Sequence, residues 1–336
     1  VTDSVNIEKV KGTIDYNLWF LSVDDCKQLS AQFELSFTDA VLNRVYTMLT
    51  DNTRMVKRDK FGANLDNKEI IESSKNDINK LTLKVRKVAE ILEPEQQRLF
   101  EIFNKFKFVI LECEPLPNPL ENLLALKKIF GSVKKHKRSD ENGIVPIENL
   151  GNSSLATTYL ATTSKTHLMH TDGLYEMCIP KVVAMQCEIP SQNGGFSQIV
   201  YGESVYKYLM ENHPQELQNL FTNPVTITRG EQTATQAIFV EQKGRISITF
   251  RADSVVSIAI PPQIEKAFHI IKNYVNNPNN QFIYKLKANQ ILLLDNTSVL
   301  HGRTSFPDHE FRKLNRLWFD GISEYSHHLQ FGFTPK

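Results

Sequence analysis

The chain has 336 residues, 41% of them hydrophobic and 23% charged, the balance of a folded protein that can bury a sizeable core in one large or two ordinary domains. Its 39 lysines and arginines against 38 aspartates and glutamates leave a formal charge of +1, without the basic footprint of a nucleic-acid or membrane-surface binder. Four cysteines, Cys26, Cys113, Cys178 and Cys187, have no CxxC spacing, which argues against a zinc site and a disulfide framework.

In chain order, the first third reads as helix. The stretch FTDAVLNRVYTMLTD (37–51) offers Thr38 as N-cap and places Val41, Leu42, Val45 and Met48 at a helical period. KLTLKVRKVAEIL (80–92) and EQQRLFEIFNKFKFVIL (95–111) continue that reading. GSVKKHKRSDENG (131–143) is basic and polar with a glycine at each end, which makes it a surface connection or a lid over a pocket.

After residue 150 the chain turns to short runs rich in β-branched and aromatic residues. Strands are expected at 181–189, 196–201, 224–228, 235–252, 282–296, 298–304 and 312–322, with Lys243-Gly244 as a hairpin turn. Two helices interrupt them, at 204–213 and 263–277. That density of strands implies a sandwich or barrel. No stretch of eighteen apolar residues and no basic-then-apolar leader is present, so a cytoplasmic location without membrane contact is expected.

His170-Thr171-Asp172, directly before Gly173, sits where a strand ends. It is either half of a metal site or one polar loop among many. His301, at the tip of a later strand, is where a jelly-roll barrel would bring a third ligand. Two imidazoles and one carboxylate on one face of a metal suit non-haem Fe(II), because three positions stay open; a structural zinc would need a fourth protein ligand. Arg312 and Arg316 follow His301 by eleven and fifteen residues and share one face of an extended strand. A buried arginine pair is costly unless anions neutralise it, and a dicarboxylate would do so.

With HTDG, LHGR and arginines at plus eleven and plus fifteen, the sequence resembles the Fe(II)- and 2-oxoglutarate-dependent dioxygenases of the taurine dioxygenase (TauD/TfdA) type, in the clavaminate synthase-like superfamily. The resemblance covers about residues 150–325. It implies an α+β fold in one catalytic domain over 1–336: a double-stranded β-helix (jelly-roll) core over 150–325 carrying the metal site, flanking helices, and a mainly helical portion over 1–130. It implies His170, Asp172 and His301 as ligands of Fe(II), with 2-oxoglutarate as cosubstrate and O2 as oxidant. Ser197, in NGGFSQIVYG, stands where the family usually has a threonine and would help Arg312 bind the distal C5 carboxylate. Arg316 would meet the C1 carboxylate or an anionic group of the substrate.

The implied reaction hydroxylates an unactivated C–H bond of a small amino-acid-like or anionic substrate, free or carrier-tethered, with formation of succinate and CO2. Asp172 fills the position that halogenases of this superfamily leave for chloride. Desaturation, epoxidation and ring formation share the triad, and a non-catalytic metal-binding jelly roll is the reading from another class. Tyr175 either lines the substrate pocket or packs, and Arg303 and Arg251 either recognise a substrate carboxylate or are ordinary surface or ion-paired arginines. His167 is expected on the opposite strand face from His170, beside the site or on the surface. His327-His328 reads as a solvated tail, and the sequons at Asn152 and Asn296 carry no weight in a cytoplasmic protein.

Overall fold

A computed structural model describes residues 78–150, 159–176 and 178–334; the helix expected at 37–51 and the sequon at Asn152 lie outside them. In the first part of the described chain the strands are β1 (Thr82–Val85), β2 (Phe108–Cys113), β3 (Val133–Lys134) and β4 (Val145–Glu148). Then come β5 (His167–His170), β6 (Val182–Ile189), β7 (Ser197–Tyr201), β8 (Val225–Arg229), β9 (Gln232–Gln236), β10 (Phe239–Gln242) and β11 (Arg245–Ile248). The last part adds β12 (Ser257–Ala259), β13 (Phe282–Tyr284), β14 (Gln290–Asp295), β15 (Val299–Arg303) and β16 (Lys313–Phe319).

The large sheet runs β1-β2-β14-β6-β16-β3, with β4 also on β16, and a smaller one runs β13-β7-β15-β5. The composition of β14 shows how they stack. Its residues are buried throughout, as a strand covered on both faces requires. Ile291 and Leu293 pack with Leu99 and Phe103 of the Glu93–Phe106 helix, whereas Leu292 and Leu294 pack with Ile199 and Val299 of the smaller sheet. On the other face of that sheet, Val200 and Leu300 meet Val205, Leu209 and Ile271 from the Gly202–Asn212 and Glu265–Val275 helices. The odd residues of β15, Val299, His301 and Arg303, are therefore left to face the large sheet.

Two expected helices come out differently. Residues 80–92 contain β1 and a short 3-10 turn (Val88–Glu90), because Thr82–Val85 pairs in parallel with Ile110–Cys113 and buries Val85 against that sheet. The helix expected over 95–111 stops at Phe106. Lys107 takes a left-handed conformation (φ 64°), and Phe108–Cys113, apolar and β-branched, becomes a strand paired with β14. Residues upstream of 150 thus supply β1 to β4 to the large sheet. A helix missed from the sequence, Pro214–Thr222, opens with proline at its first turn, a start signal lying just past the expected end of the preceding helix. Lys243 and Gly244 both have positive φ, and the β10–β11 hairpin turns there.

Phe108 fills the space between the sheets, with its ring 5.2 Å from Phe282 and 6.1 Å from Tyr201. Phe108→Ala is expected to cost roughly 3–5 kcal/mol, read as a fall in the urea midpoint. Val240→Ala, at a position 45% exposed, should shift stability by no more than about 0.5 kcal/mol. Equal effects would mean that the sheet interface is not the core described.

Candidate metal centre

The antiparallel pairing of β5 with β15 sets His170 directly opposite His301, with ring centroids 4.5 Å apart. The register shifts between His301 and Arg303, and at that point Gly302 lies against β5 so closely that a Cβ there would stand 2.7 Å from the His167 carbonyl oxygen. Beyond His170 the chain leaves the strand. Thr171 donates its N–H to the Phe250 carbonyl at 2.9 Å, and Gly173, at φ +76°, supports the turn.

Asp172 is fixed by Asn296. The Asp172 N–H donates to Oδ1 of Asn296 at 2.8 Å, while Nδ2 of Asn296 donates to the carbonyls of Asp172 at 3.0 Å and Pro180 at 2.8 Å. A sequence reading sees Asn296 only as a turn residue and sequon.

The Asp172 carboxylate stands between the sheets. Nε2 of His170 is 3.4 Å from its Oδ1, and Nε2 of His301 is 3.8 Å from its Oδ2. From the large sheet, Nη1 of Arg316 donates to both oxygens, at 3.2 and 3.1 Å, and Nε1 of Trp318 donates to Oδ2 at 2.9 Å. Burial pushes this carboxyl up, but Arg316 and the two histidines outweigh it and hold the group well below the usual carboxylate range. Burial, and then His170 beside it, lower His301 to about 3.

Among the described residues, His170, Asp172 and His301 form the one cluster of histidine, cysteine or acidic side chains able to share a metal, with ligand atoms within 4.8 Å of one another. The donor set, two imidazoles and a carboxylate held ionised, fits a divalent iron. Nδ1 of His170 lies 2.8 Å from the Leu168 carbonyl, which fixes the ring and leaves Nε2 as the ligand atom. Nδ1 of His301 is buried without a hydrogen-bond partner among the described residues.

A cavity beside the triad is lined by His170, His301, Ser197, Arg303, Arg312 and Arg316, among others. Arg312, Leu314 and Arg316 line it together, as expected from strand alternation. Arg312 is buried, and burial lowers its guanidinium to about 10. Among the described residues no carboxylate comes within ion-pair reach of it. Ser197 opens β7, in register with Arg303. Arg303 lines the same cavity, yet its Nη2 donates to the backbone carbonyls of Thr163 and Lys165.

Tyr175 is not among the lining residues; its hydroxyl lies 3.2 Å from Nε2 of His136 and accepts from Nη1 of Arg229 at 2.9 Å. His136 belongs to the 131–143 segment, which pairs β3 to β16 and turns this histidine inward. His167 stacks on His170 at 4.0 Å and lines the cavity, so it shares the site, contrary to its expected place on the opposite face. Its Nε2 is 3.7 Å from Asp253, which pairs with Arg251 at 2.7 Å; that ion pair takes up the Arg251 charge. His327 and His328 lie in an exposed 3-10 turn where the His328 ring stacks on Phe100 at 5.1 Å. Trp318, Asn296, His136, Tyr159 and Arg229 escape a motif reading because none has a characteristic spacing from the triad.

The family described as Taurine catabolism dioxygenase TauD, TfdA family matches residues 70–318, and the chain belongs to it. Human gamma-butyrobetaine dioxygenase is 27% identical over 142 residues, which cover 38% of this chain and 36% of that protein. The match thus spans well under two thirds of that relative. Uridine-5'-phosphate dioxygenase of Streptomyces sp. is 21% identical over 246 residues, 66% of this chain and 86% of that one. Among solved structures, an asparagine oxygenase in complex with Fe(II), 2S,3S-3-hydroxyasparagine and succinate aligns with a TM-score of 0.56 at 12% identity, over 82% of this chain and 88% of that one. That likeness is one of fold. Among the described residues no helix is long and apolar enough to cross a membrane.

Asn296→Ala removes the clamp on the Asp172 backbone without touching a ligand atom. Mn(II) affinity, measured by equilibrium dialysis, is expected to fall by about 10–100-fold, the usual effect of losing a group that orients a metal ligand. Unchanged affinity in a folded variant would show that the clamp is dispensable.

Proposed function

We propose that the protein is an Fe(II)- and 2-oxoglutarate-dependent oxygenase that hydroxylates an unactivated C–H bond of a small amino-acid-like or otherwise anionic substrate, and that its two facing sheets are the double-stranded β-helix of that class. The observation that carries this reading is the pairing of a His-Asp-His cluster with a buried guanidinium, Arg312, on the facing sheet that has no counter-ion among the described residues. A structural metal site gains nothing from such a cation. A dicarboxylate cosubstrate neutralises it by paired hydrogen bonds. Family membership supports the same reading.

His170, Asp172 and His301 would hold Fe(II), and Arg312 with the Ser197 hydroxyl would hold the C5 carboxylate of 2-oxoglutarate. Fe(II) held there would supply the redox chemistry by which O2 oxidises 2-oxoglutarate to succinate and CO2, one oxygen atom entering succinate and the other the substrate C–H bond. The rest falls to the chain itself. Arg316, sequence-assigned to the C1 carboxylate or the substrate, donates to Asp172 and so orients that ligand. Trp318 donates its indole N–H to the same carboxylate and so helps to orient it. Leu314, Ile147 and Met185 give the cavity apolar walls.

The test is succinate formation from 2-oxoglutarate by purified protein with Fe(II) and O2, against a metal-free control; no binding of millimolar 2-oxoglutarate to the metal-loaded protein would sink the reading. Arg312→Lys should raise the 2-oxoglutarate Kd tenfold or more, on the order of 1.4 kcal/mol, because lysine cannot reproduce the planar fork. Arg316→Lys should weaken Mn(II) binding instead. The reverse pattern would show that the two roles are interchanged.

A further inference from the structure

Ser197 and Arg312 line one cavity but come from different sheets, and each follows a loop. Residues 190–196 lead from β6 into Ser197, and residues 304–312 join β15 to β16 and end on Arg312. Near the strands the two loops continue the β7–β15 ladder: Thr304 donates its N–H to the Phe196 carbonyl at 3.0 Å, and Gly195 donates to the Ser305 carbonyl at 2.9 Å. Farther out, what joins them is the carboxylate of Glu310.

That carboxylate accepts the N–H of Gln192 at 2.7 Å, the N–H of Asn193 at 3.0 Å and Nδ2 of Asn193 at 2.6 Å. From a third segment, Nζ of Lys285 donates to the Gln192 carbonyl at 2.7 Å. Burial pushes the Glu310 carboxyl up, but the bonds from Asn193 and Gln192 outweigh it and hold the group below the usual carboxylate range. It therefore meets its donors as an anion, and such bonds are about twice as strong as neutral ones.

The loop held in this way lies directly on Arg312. Gly195, at φ 66°, approaches so closely that a Cβ there would crowd Oγ of Ser191 and stand 3.1 Å from Nε of Arg312. Phe306, from the same loop as Glu310, has its ring 5.7 Å from the Arg312 guanidinium carbon. A long side chain with no carboxylate partner among the described residues takes its direction from what packs around it, because its rotamer freedom is otherwise large. Glu310 itself is not among the cavity-lining residues, so its influence passes through the two loops.

We infer that Glu310 is a positioning residue: by stapling the 190–196 loop to the 304–312 loop, it holds the Ser197 hydroxyl and the Arg312 guanidinium in one carboxylate-binding pocket. Calling that carboxylate the distal end of 2-oxoglutarate rests on the oxygenase reading; the staple does not.

The test uses the full chain loaded with Mn(II) and the variant Glu310→Gln, which keeps the side-chain shape and removes the charge. Calorimetry should show N-oxalylglycine affinity falling about tenfold, the scale of one lost hydrogen bond to a charged group. Affinity for Mn(II), and for oxalate, which chelates a metal without a distal carboxylate, should stay unchanged. Amide exchange at Gln192, Asn193 and Gly195 should quicken. In an Arg312→Lys background the same substitution should weaken N-oxalylglycine less, because the two residues act through one contact. Asn193→Ala removes a donor from the other side of the staple, should move every reading the same way, and stands in should Glu310→Gln not fold. Equal weakening of oxalate and N-oxalylglycine, or quickened exchange with N-oxalylglycine affinity intact, overturns the positioning role. A native chain that binds Mn(II) but no N-oxalylglycine overturns the oxygenase reading; amide exchange then decides the staple, quickened rates in Glu310→Gln upholding it and unchanged rates overturning it.

Discussion

The carboxylate of Asp172 is the point at which the two sheets are chemically joined. An ionised carboxylate taken out of water without partners is prohibitively costly, by tens of kcal/mol in a dry medium. Here the group gathers two imidazoles from the smaller sheet and a guanidinium and an indole N–H from the larger. Removing one partner of a buried ion pair typically costs about 3–5 kcal/mol, against about 1 kcal/mol for an ordinary neutral hydrogen bond. Geometry at this one group therefore constrains the distance between β5 and β16 more tightly than any single apolar contact in the cavity.

That constraint separates two arginines that look equivalent in the strand. Arg316 and Arg312 both face the cavity, but the first has an internal counter-ion and the second has none among the described residues. A buried cation with its partner inside the protein is structural reinforcement; one without is an incomplete interaction that a ligand can complete.

The 131–143 segment shows how a polar stretch becomes part of the site. Its composition is that of a solvated loop, yet β3 ties it to β16, His136 turns in towards Tyr175 and Arg138 donates to Pro146. Burial holds the His136 imidazole at about 3, so it is neutral between the surrounding arginines. A basic run is readable as surface from composition alone because most such runs are; which two of its side chains turn inward depends on partners from other elements.

By itself the sequence determined the strand-rich second half, the position of most of its strands, and the ordered set His170, Asp172, His301, Arg312 and Arg316. These are legible because period-two alternation and fixed motif spacing are local properties of the chain. It did not determine that residues 82–85 and 108–113 would be strands, since their apolar spacing also fits a helix and the choice falls to pairing with β14 and with each other. Nor did it reveal Asn296, Trp318, His136, Tyr159 or Arg229. Each acts through a partner tens to more than a hundred residues distant, and only the closing of one sheet over the other brings such groups within hydrogen-bonding or ring-contact distance.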